Sequence, residues 1–177
     1  MVTYKRVETT IELKQILDLQ QSNLYNTLTA EERLQEGFVT VSHTLDVLMK
    51  MNEVCPHIIA KDKDIVVGYA LCMHPRFSKE IDILKPMFQE IVAIIPKLEN
   101  YLIMGQICVD KQYRKKGIFR NLYKTMKEVL QPAFDSVITE VDAKNTRSLY
   151  AHFAVGFELL KTYNSCGQKW ELISLKI

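Results

Sequence analysis

The stretch of the sequence best suited to chemistry is residues 106–120, where an apolar run leads into a short basic turn with one glycine, Gly117. The 3.6-residue periodicity of an amphipathic helix begins directly after that glycine. The N-terminus of a helix presents backbone N–H groups without partners and the positive end of the helix dipole. A glycine there lets an anion approach the backbone closely. This arrangement predicts a site for a ligand that carries phosphate groups.

Basic side chains surround the same turn. No acidic residue lies between Lys111 and Lys127, and the basic residues of this interval are Lys111, Arg114, Lys115, Lys116, Arg120, Lys124 and Lys127. From charge alone, a solvated helix face explains them as well as an anion site does. A nucleic-acid surface is a third interpretation. The apolar face of the same helix and the net charge of only +2 argue against nucleic acid. A diphosphate-bearing ligand is therefore the favoured interpretation.

Several other kinds of site are not indicated. The glycine spacing matches neither the GxGxxG pattern of dinucleotide-binding folds nor the GxxxxGK[ST] pattern of P-loops. The 4 cysteines and 4 histidines are scattered without ligand spacing, so we expect no metal site. No apolar stretch approaches the length that crosses a bilayer, and the N-terminus lacks a signal-peptide core. We expect a cytoplasmic protein without a membrane partner.

The turn at residues 114–119 resembles the pyrophosphate loop of the GNAT superfamily of acyl-CoA-dependent N-acetyltransferases, Arg/Gln-x-x-Gly-x-Gly/Ala. Arg114 and Gly117 stand at the Arg and first Gly positions. Phe119 replaces the small residue at the end of the motif. The specific residues of the resemblance lie in 107–157, although the order of elements is similar over nearly the whole chain.

A second motif supports the resemblance. Glu140 and Asn145 stand as in the family segment E-V-x-x-x-N, and His152 precedes Gly156-Phe157 where relatives have Tyr in Y-x-x-x-G-F. The resemblance implies acetyl-CoA as co-substrate, with its pyrophosphate on the loop and its pantetheine arm along the preceding strand. The cofactor-binding residues that it implies are Ile107, Cys108, Val109, Arg114, Lys115, Lys116, Gly117, Ile118, Phe119, Arg120 and Asn145.

The family resemblance also suggests catalytic residues for direct transfer of an acetyl group to a primary amine. Glu140 stands where relatives place a candidate base, and His152 stands where they place the tyrosine acid. Tyr150 is the alternative acid. Each has a structural alternative: strand hydrogen bonding for Glu140, and packing for His152 and Tyr150. The alternative function is a CoA-binding module of the same fold with weak or lost catalysis.

The rest of the 177-residue chain predicts the elements that position these residues. Apolar and alternating runs predict strands at 2–8, 57–61, 65–73, 102–109, 136–141, 157–163 and 169–177. Helical spacing of apolar residues predicts helices at 12–24, 41–51, 117–130 and 145–155. The order indicates one α/β (α+β) domain over 1–177, GNAT-like, with a mixed, mostly antiparallel twisted sheet flanked by helices.

One connection, at about 76–100, is too long for a simple link between strands. It mixes charged residues with an apolar helical stripe, so we expect an insertion-like helical segment that docks on the domain. It is the expected wall of the acceptor site, for a small-molecule or peptide amine. The alternative is that its stripe is core or a contact in a homodimer.

Overall fold

Seven strands form one sheet in the order β1-β2-β3-β4-β5-β7-β6. The computed structural model describes residues 1–95 and 100–177. The strands are β1 (Val2–Arg6), β2 (Ile58–Asp62), β3 (Ile65–Met73), β4 (Tyr101–Val109), β5 (Ser136–Asp142), β6 (Glu158–Ser165) and β7 (Gln168–Lys176). All neighbours are antiparallel except β4 and β5, which run parallel. The predicted mixed, mostly antiparallel sheet is confirmed.

Helices cover both faces of this sheet. They are α1 (Thr10–Gln21), α2 (Ala30–Glu36), α3 (Leu45–Val54), α4 (Lys85–Ile94), α5 (Ile118–Leu130) and α6 (Thr146–Phe153). Successive side chains of a strand point to opposite faces. In β3, Tyr69 and Leu71 accordingly pack in the core under α1, α3 and α4, whereas Ala70 and Cys72 pack in the core under α5 and α6.

Helix α5 lies unusually close to β3 because of a glycine. A Cβ added at Gly68 would lie 3.1 Å from Ile118 Cγ2 and 3.3 Å from the Cys108 carbonyl oxygen. Contacts this short are rare for real Cβ atoms, so a larger residue would push the first turn of α5 away from the sheet. Gly68 thus fixes where the N-terminus of α5 stands relative to the end of β4.

The parallel strands β4 and β5 separate soon after they meet. Their pairing covers only Tyr101–Ile103 of β4 and Ser136–Ile138 of β5. Opposite β3, Leu71 pairs with Gln106 and Cys72 with Met104, which leaves one extra residue in β4. Such a β-bulge bends a strand and increases its twist. We call the divergence of β4 and β5 beyond Ile103 and Ile138 the splay.

The structure differs from the sequence prediction in two places. Helix α2 was not predicted, since Ala30–Glu36 has no apolar stripe. The connection after β3 contains two single turns, Pro75–Lys79 and Asp82–Leu84, followed by α4. Residues 96–99 of the predicted connection lie outside the described residues. Among the helices of 1–95 and 100–177, none is long and apolar enough to cross a membrane.

Candidate functional site

The splay opens the sheet between β4 and β5, and three adjoining cavities lie around it. The loop-side cavity, about 430 Å³, lies between the end of β4, the turn before α5 and helix α6. The junction cavity, about 60 Å³, lies in the splay itself. The hairpin-side cavity, about 790 Å³, extends from the splay to the turn between β6 and β7. Phe38 lines all three.

The turn before α5 forms a concave array of backbone N–H groups. Lys115 and Gly117 have φ of 60° and 78°, whereas Lys116 between them does not have a positive φ, so the sign of φ alternates along the turn. No backbone N–H from Lys115 to Arg120 has an acceptor within the part of the chain that the structure describes. Alternating backbone of this kind at a helix N-terminus forms an anion-binding nest.

Most residues that the sequence implied for the cofactor meet at this nest. All of them except Lys116 line the loop-side cavity. The ammonium of Lys116 instead lies 4.8 Å from the centre of the Tyr113 ring. Arg147, from the first turn of α6, adds a cation that the sequence analysis did not select.

The side chain of Arg114 is occupied by the protein itself. Its Nε donates to the Val109 carbonyl at 3.1 Å, and its Nη2 donates to Asn23 Oδ1 at 2.7 Å. Its Nη1 forms an ion pair with Glu36 at the end of α2. Arg114 therefore braces the turn against α2 rather than extending into the cavity as a free cation.

A segment after α2, residues 37–44, crosses over the splay; we call it the strap. Asn145 holds the start of the strap, since its Nδ2 donates to the Phe38 carbonyl at 3.0 Å. Its Oδ1 accepts from the Ser148 N–H at 3.2 Å and caps α6. A Cβ at Gly37 would lie 2.9 Å from Asn145 Oδ1, so the contact requires glycine. Asn145 thereby connects α6 with the strap.

A buried polar network holds the rest of the strap. Gln106 of β4 donates to the Val41 carbonyl at 2.8 Å, and its Oε1 accepts from Tyr69 at 2.6 Å and from Gln20 at 2.7 Å. Gln20 in turn accepts from the His43 N–H at 2.8 Å. Because buried polar groups are costly when unpaired, this network fixes the strap firmly over β4.

Glu140 of β5 lies where the junction and hairpin-side cavities meet. Its carboxylate accepts a hydrogen bond from the hydroxyl of Tyr163 on β6. Burial raises the pKa of Glu140 to about 7, although the Tyr163 hydrogen bond acts in the opposite direction. A carboxyl group with this pKa can accept a proton near neutral pH.

His152 is enclosed rather than presented to the cavities as an acid. Its ring centre lies 5.1 Å from those of Phe119 and Phe157 and 5.6 Å from that of Tyr123. Its Nδ1 lies 2.7 Å from the Ser148 carbonyl, which only accepts, so Nδ1 carries the proton. Burial lowers the pKa of His152 to about 4. The ring is therefore neutral at pH 7, and its unprotonated Nε2 is buried without a hydrogen-bond partner among the described residues.

The alternative acid, Tyr150, and the thiol of Cys108 are no better placed for catalysis. Tyr150 is 72% exposed and lines none of the three cavities. Cys108 is buried, and burial raises the pKa of its thiol to about 12, which leaves it protonated. Its position at the end of β4 still brings its backbone to the loop-side cavity.

Several residues of the site had no signal in the sequence. Phe38, Tyr163 and Trp170 come from the strap, β6 and β7, and they meet only because β7 lies between β5 and β6. The connection after β3 also reaches the hairpin-side cavity, but through the apolar residues Ile83, Leu84, Pro86 and Met87 rather than through its charged ones.

No cluster of metal-binding side chains occurs in 1–95 or 100–177.

The model of the acetyltransferase (GNAT) family matches residues 13–157, and the chain belongs to that family. The family suggested by the loop and the E-V-x-x-x-N segment is confirmed. A search of curated proteins found no match.

Solved structures share the fold at low identity. The ribosomal-protein-S18-alanine N-acetyltransferase from Escherichia coli superposes with a TM-score of 0.66 at 14% identity, over 100% of this chain and 94% of that chain. A phosphinothricin acetyltransferase from Sinorhizobium meliloti in complex with AcCoA gives 0.65 at 15% identity, over 99% and 88%. The NatC complex bound to Gag peptide and CoA gives 0.69 at 15% identity, over 99% and 98%.

Proposed function

We propose that the protein is an N-acetyltransferase that moves an acetyl group from acetyl-CoA directly to a primary amine. The observation that supports this most strongly is the arrangement of the cavities around the splay. An anion nest lies on one side, Glu140 lies on the other, and the junction cavity connects them. A donor and an acceptor bound in the two larger cavities would therefore meet in the splay.

The loop-side cavity suits acetyl-CoA, which supplies an activated acyl thioester. The free N–H groups of Lys115–Arg120 would hold its pyrophosphate, with Arg120 and Arg147 adding positive charge. The edge of β4 at Ile107–Val109 has no strand partner on the β5 side and would bind the pantetheine amides as an added strand. Solved relatives that contain AcCoA or CoA support this assignment.

Glu140 is the proposed base. An amine attacks a thioester only when neutral, so its ammonium form must first lose a proton. The raised pKa of Glu140 makes its carboxylate a stronger base than an exposed glutamate. Tyr163 fixes one oxygen of the carboxylate by donating to it, which leaves the other oxygen for the amine or for an intervening water. The raised pKa and the hydrogen bond favour catalysis over a purely structural role.

We propose no side-chain acid. The Nε2 of His152 carries no proton and is buried, and Tyr150 lines none of the three cavities. Water in the open loop-side cavity supplies the proton that the departing thiolate needs. The backbone N–H near Cys108 or Val109 would polarise the carbonyl of the thioester, as an oxyanion donor does.

The test measures acetyl-CoA binding by calorimetry and thiol release with a panel of primary amines. We expect saturable binding and amine-dependent thiol release. Glu140→Gln should lower kcat by about 10²–10⁴-fold without changing the Kd for acetyl-CoA. Glu158→Gln, an exposed glutamate at the start of β6, is the matched control and should keep full activity. Binding without thiol release for every amine would instead identify a CoA-binding module.

A further inference from the structure

The walls of the hairpin-side cavity indicate what kind of amine it accepts. Its volume, about 790 Å³, lies in the range of sites that enclose small molecules or the end of a chain. Apolar and aromatic side chains from four separate segments line it: Tyr25, Phe38, Ile83 with Met87, and Trp170. Ile83 is 62% exposed, so the core does not require it. These walls fit a ligand with an apolar body.

The charges of the same cavity limit how many ammonium groups such a ligand can carry. Glu140 has one carboxylate oxygen without a hydrogen bond within the described residues. The other carboxylate, Asp142, keeps its charge but is buried, and each of its oxygens already accepts a hydrogen bond, one from the Lys144 N–H at 2.9 Å and one from the Gln168 side chain. Of the two acidic groups, only Glu140 therefore has an oxygen free to contact a cation.

Two cationic side chains line the cavity in addition. The Arg33 guanidinium lies 4.1 Å from the centre of the Tyr25 ring and donates to the Tyr25 carbonyl at 3.0 Å, so its position is fixed. Lys144 lies at the end of β5 and is exposed. A second ammonium group on the ligand would meet these like charges without a second free carboxylate oxygen to contact.

We propose that the acceptor is a monoamine on an apolar body, with its amine at Glu140 and its body between Ile83, Phe38 and Trp170. The inference rests on the proposed function and deepens it. Polyamines and aminoglycosides are excluded by Arg33 and Lys144. The recognised chemistry is shared by a free arylalkylamine and by a peptide whose N-terminal residue is apolar.

Trp170 provides a direct measurement of binding, because it is the single tryptophan of the sequence and lines the cavity. Its fluorescence is titrated with phenethylamine, 1,4-diaminobutane and a short peptide beginning with Phe, each in the presence of CoA. We expect the Kd for phenethylamine to be at least about tenfold lower than that for the diamine. A diamine that binds as tightly as phenethylamine, or more tightly, overturns the proposal.

Comparing phenethylamine with the Phe peptide distinguishes a free arylalkylamine from a peptide N-terminus as the acceptor. If phenethylamine and the Phe peptide both bind, and the same peptide with a blocked N-terminus does not, either source presents the accepted chemistry. If the peptide alone binds, the acceptor is the peptide terminus, and if phenethylamine alone binds, it is a free amine. Each of these three results supports an apolar monoamine.

Substitutions at two equally exposed residues, one in the cavity wall and one outside it, test whether the ligand contacts the wall. Ile83→Ser should raise the Kd for phenethylamine by about fivefold or more, because the removed carbons contact the ligand. Val92→Ser is the matched control, since Val92 is also 62% exposed but does not line the cavity. Equal effects of the two changes would count against the proposed position of the ligand.

A charge reversal tests the exclusion of polycations. Lys144→Glu should lower the Kd for 1,4-diaminobutane by a larger factor than that for phenethylamine, because only the diamine carries a second ammonium group. No change for the diamine would show that Lys144 does not select the acceptor. Thiol release is measured in parallel: binding of phenethylamine without release contradicts the proposed function alone, whereas release with polyamines but not with phenethylamine contradicts this inference alone.

Discussion

The guanidinium of Arg114 forms an ion pair with the carboxylate of Glu36, at the point where helix α2 passes into the strap. The same arginine donates to the carbonyl of Val109 at the end of β4. One side chain therefore connects the anion nest with the segment that covers the splay. A disturbance of this contact should reach both large cavities, since Phe38 of the strap lines each of them.

Arg114→Ala should destabilise the protein and weaken the binding of both acetyl-CoA and the amine. Loss of charged hydrogen bonds to Glu36 and Asn23 is expected to lower the free energy of unfolding by about 1–3 kcal/mol. Denaturant unfolding measures this change, and calorimetry and kinetics give the acetyl-CoA Kd and amine KM. Lys111→Ala is the control, because its ion pair with Glu32 is exposed to solvent and should contribute little to stability. An amine KM that Arg114→Ala leaves unaltered would contradict the connection.

Gly117→Ala should weaken acetyl-CoA binding. The φ of 78° strains any residue with a Cβ by about 1–2 kcal/mol, and the new methyl group lies in the space that an anion would approach. The nearest atom to that Cβ outside the adjacent residues is Asn121 Nδ2 at 3.9 Å, so the fold itself tolerates the change. We expect the Kd to rise at least about tenfold.

The control for that experiment is Gly167→Ala. Gly167 has a φ of 74° in the turn between β6 and β7, with nothing within 4 Å of an added Cβ. It should cause similar backbone strain without a change in acetyl-CoA affinity. A Kd that Gly117→Ala and Gly117→Val both leave at the wild-type value would refute the anion nest.

Glu140 should make stability depend on pH in the direction opposite to that of a glutamate whose pKa is lowered on folding, such as Glu12. Its pKa rises from 4.5 to about 7 on folding, so the folded state binds more protons between these values. The free energy of unfolding from this group therefore falls as pH rises, by about 3 kcal/mol in all. Buried His43 and His152 act in the opposite sense, since burial lowers the pKa of each to about 4.

The contribution of Glu140 to the pH dependence of stability is obtained as the difference between the wild type and a variant. Urea unfolding of the wild type and of Glu140→Gln is measured from pH 4.5 to 8, and one curve is subtracted from the other. We expect the variant to gain stability relative to the wild type as pH rises through about 7. A flat difference would mean that the carboxyl group titrates normally in the folded protein.

His152→Phe and Tyr150→Phe test the absence of a side-chain acid. The ring of His152 lies among three aromatic rings, and phenylalanine fills a similar volume there. Both variants, and the double variant, should keep kcat within about threefold at saturating acetyl-CoA, where loss of a general acid costs about 10²-fold or more. A loss of that size in one variant would restore that residue as the acid.

Asn145→Asp separates the two functions of Asn145. Aspartate keeps the oxygen that caps α6 but has no N–H to donate to the Phe38 carbonyl. We expect the variant to retain most of the stability, raise KM for the amine and weaken acetyl-CoA binding. Asn145→Ala also loses the cap and should lower the free energy of unfolding by about a further 1 kcal/mol. Thermal unfolding and steady-state kinetics on the two variants measure the difference.

The sequence predicted those elements whose apolar residues repeat regularly. Helix α5 and strand β3 are examples, because each is largely decided by the face that it buries. Helix α2 was missed because most of its residues are polar and it is stabilised by caps and ion pairs instead. A local signal was present in Thr29-x-x-Glu32, a capping box that the structure confirms.

The candidate site was predictable only where it is local in sequence. The nest follows from a turn and the helix that it opens, so its residues are neighbours along the chain. Tyr163 and Trp170 reach Glu140 through strand order, which residue spacing does not reveal. For His152 the motif predicted the position along α6. Which ring nitrogen carries the proton depends on the Ser148 carbonyl, and the lowered pKa depends on burial among the surrounding rings.

The short pairing of β4 with β5 also bears on solubility. Beyond Ile103, the side of β4 that faces β5 is a sheet edge in the middle of the molecule. Unpaired edges template association with other chains, and proteins commonly cover them. Here the strap lies over the opening, held by Gln106 and Asn145. Breaking those two hydrogen bonds should therefore favour aggregation during purification, and acetyl-CoA, bound along this edge, should suppress it.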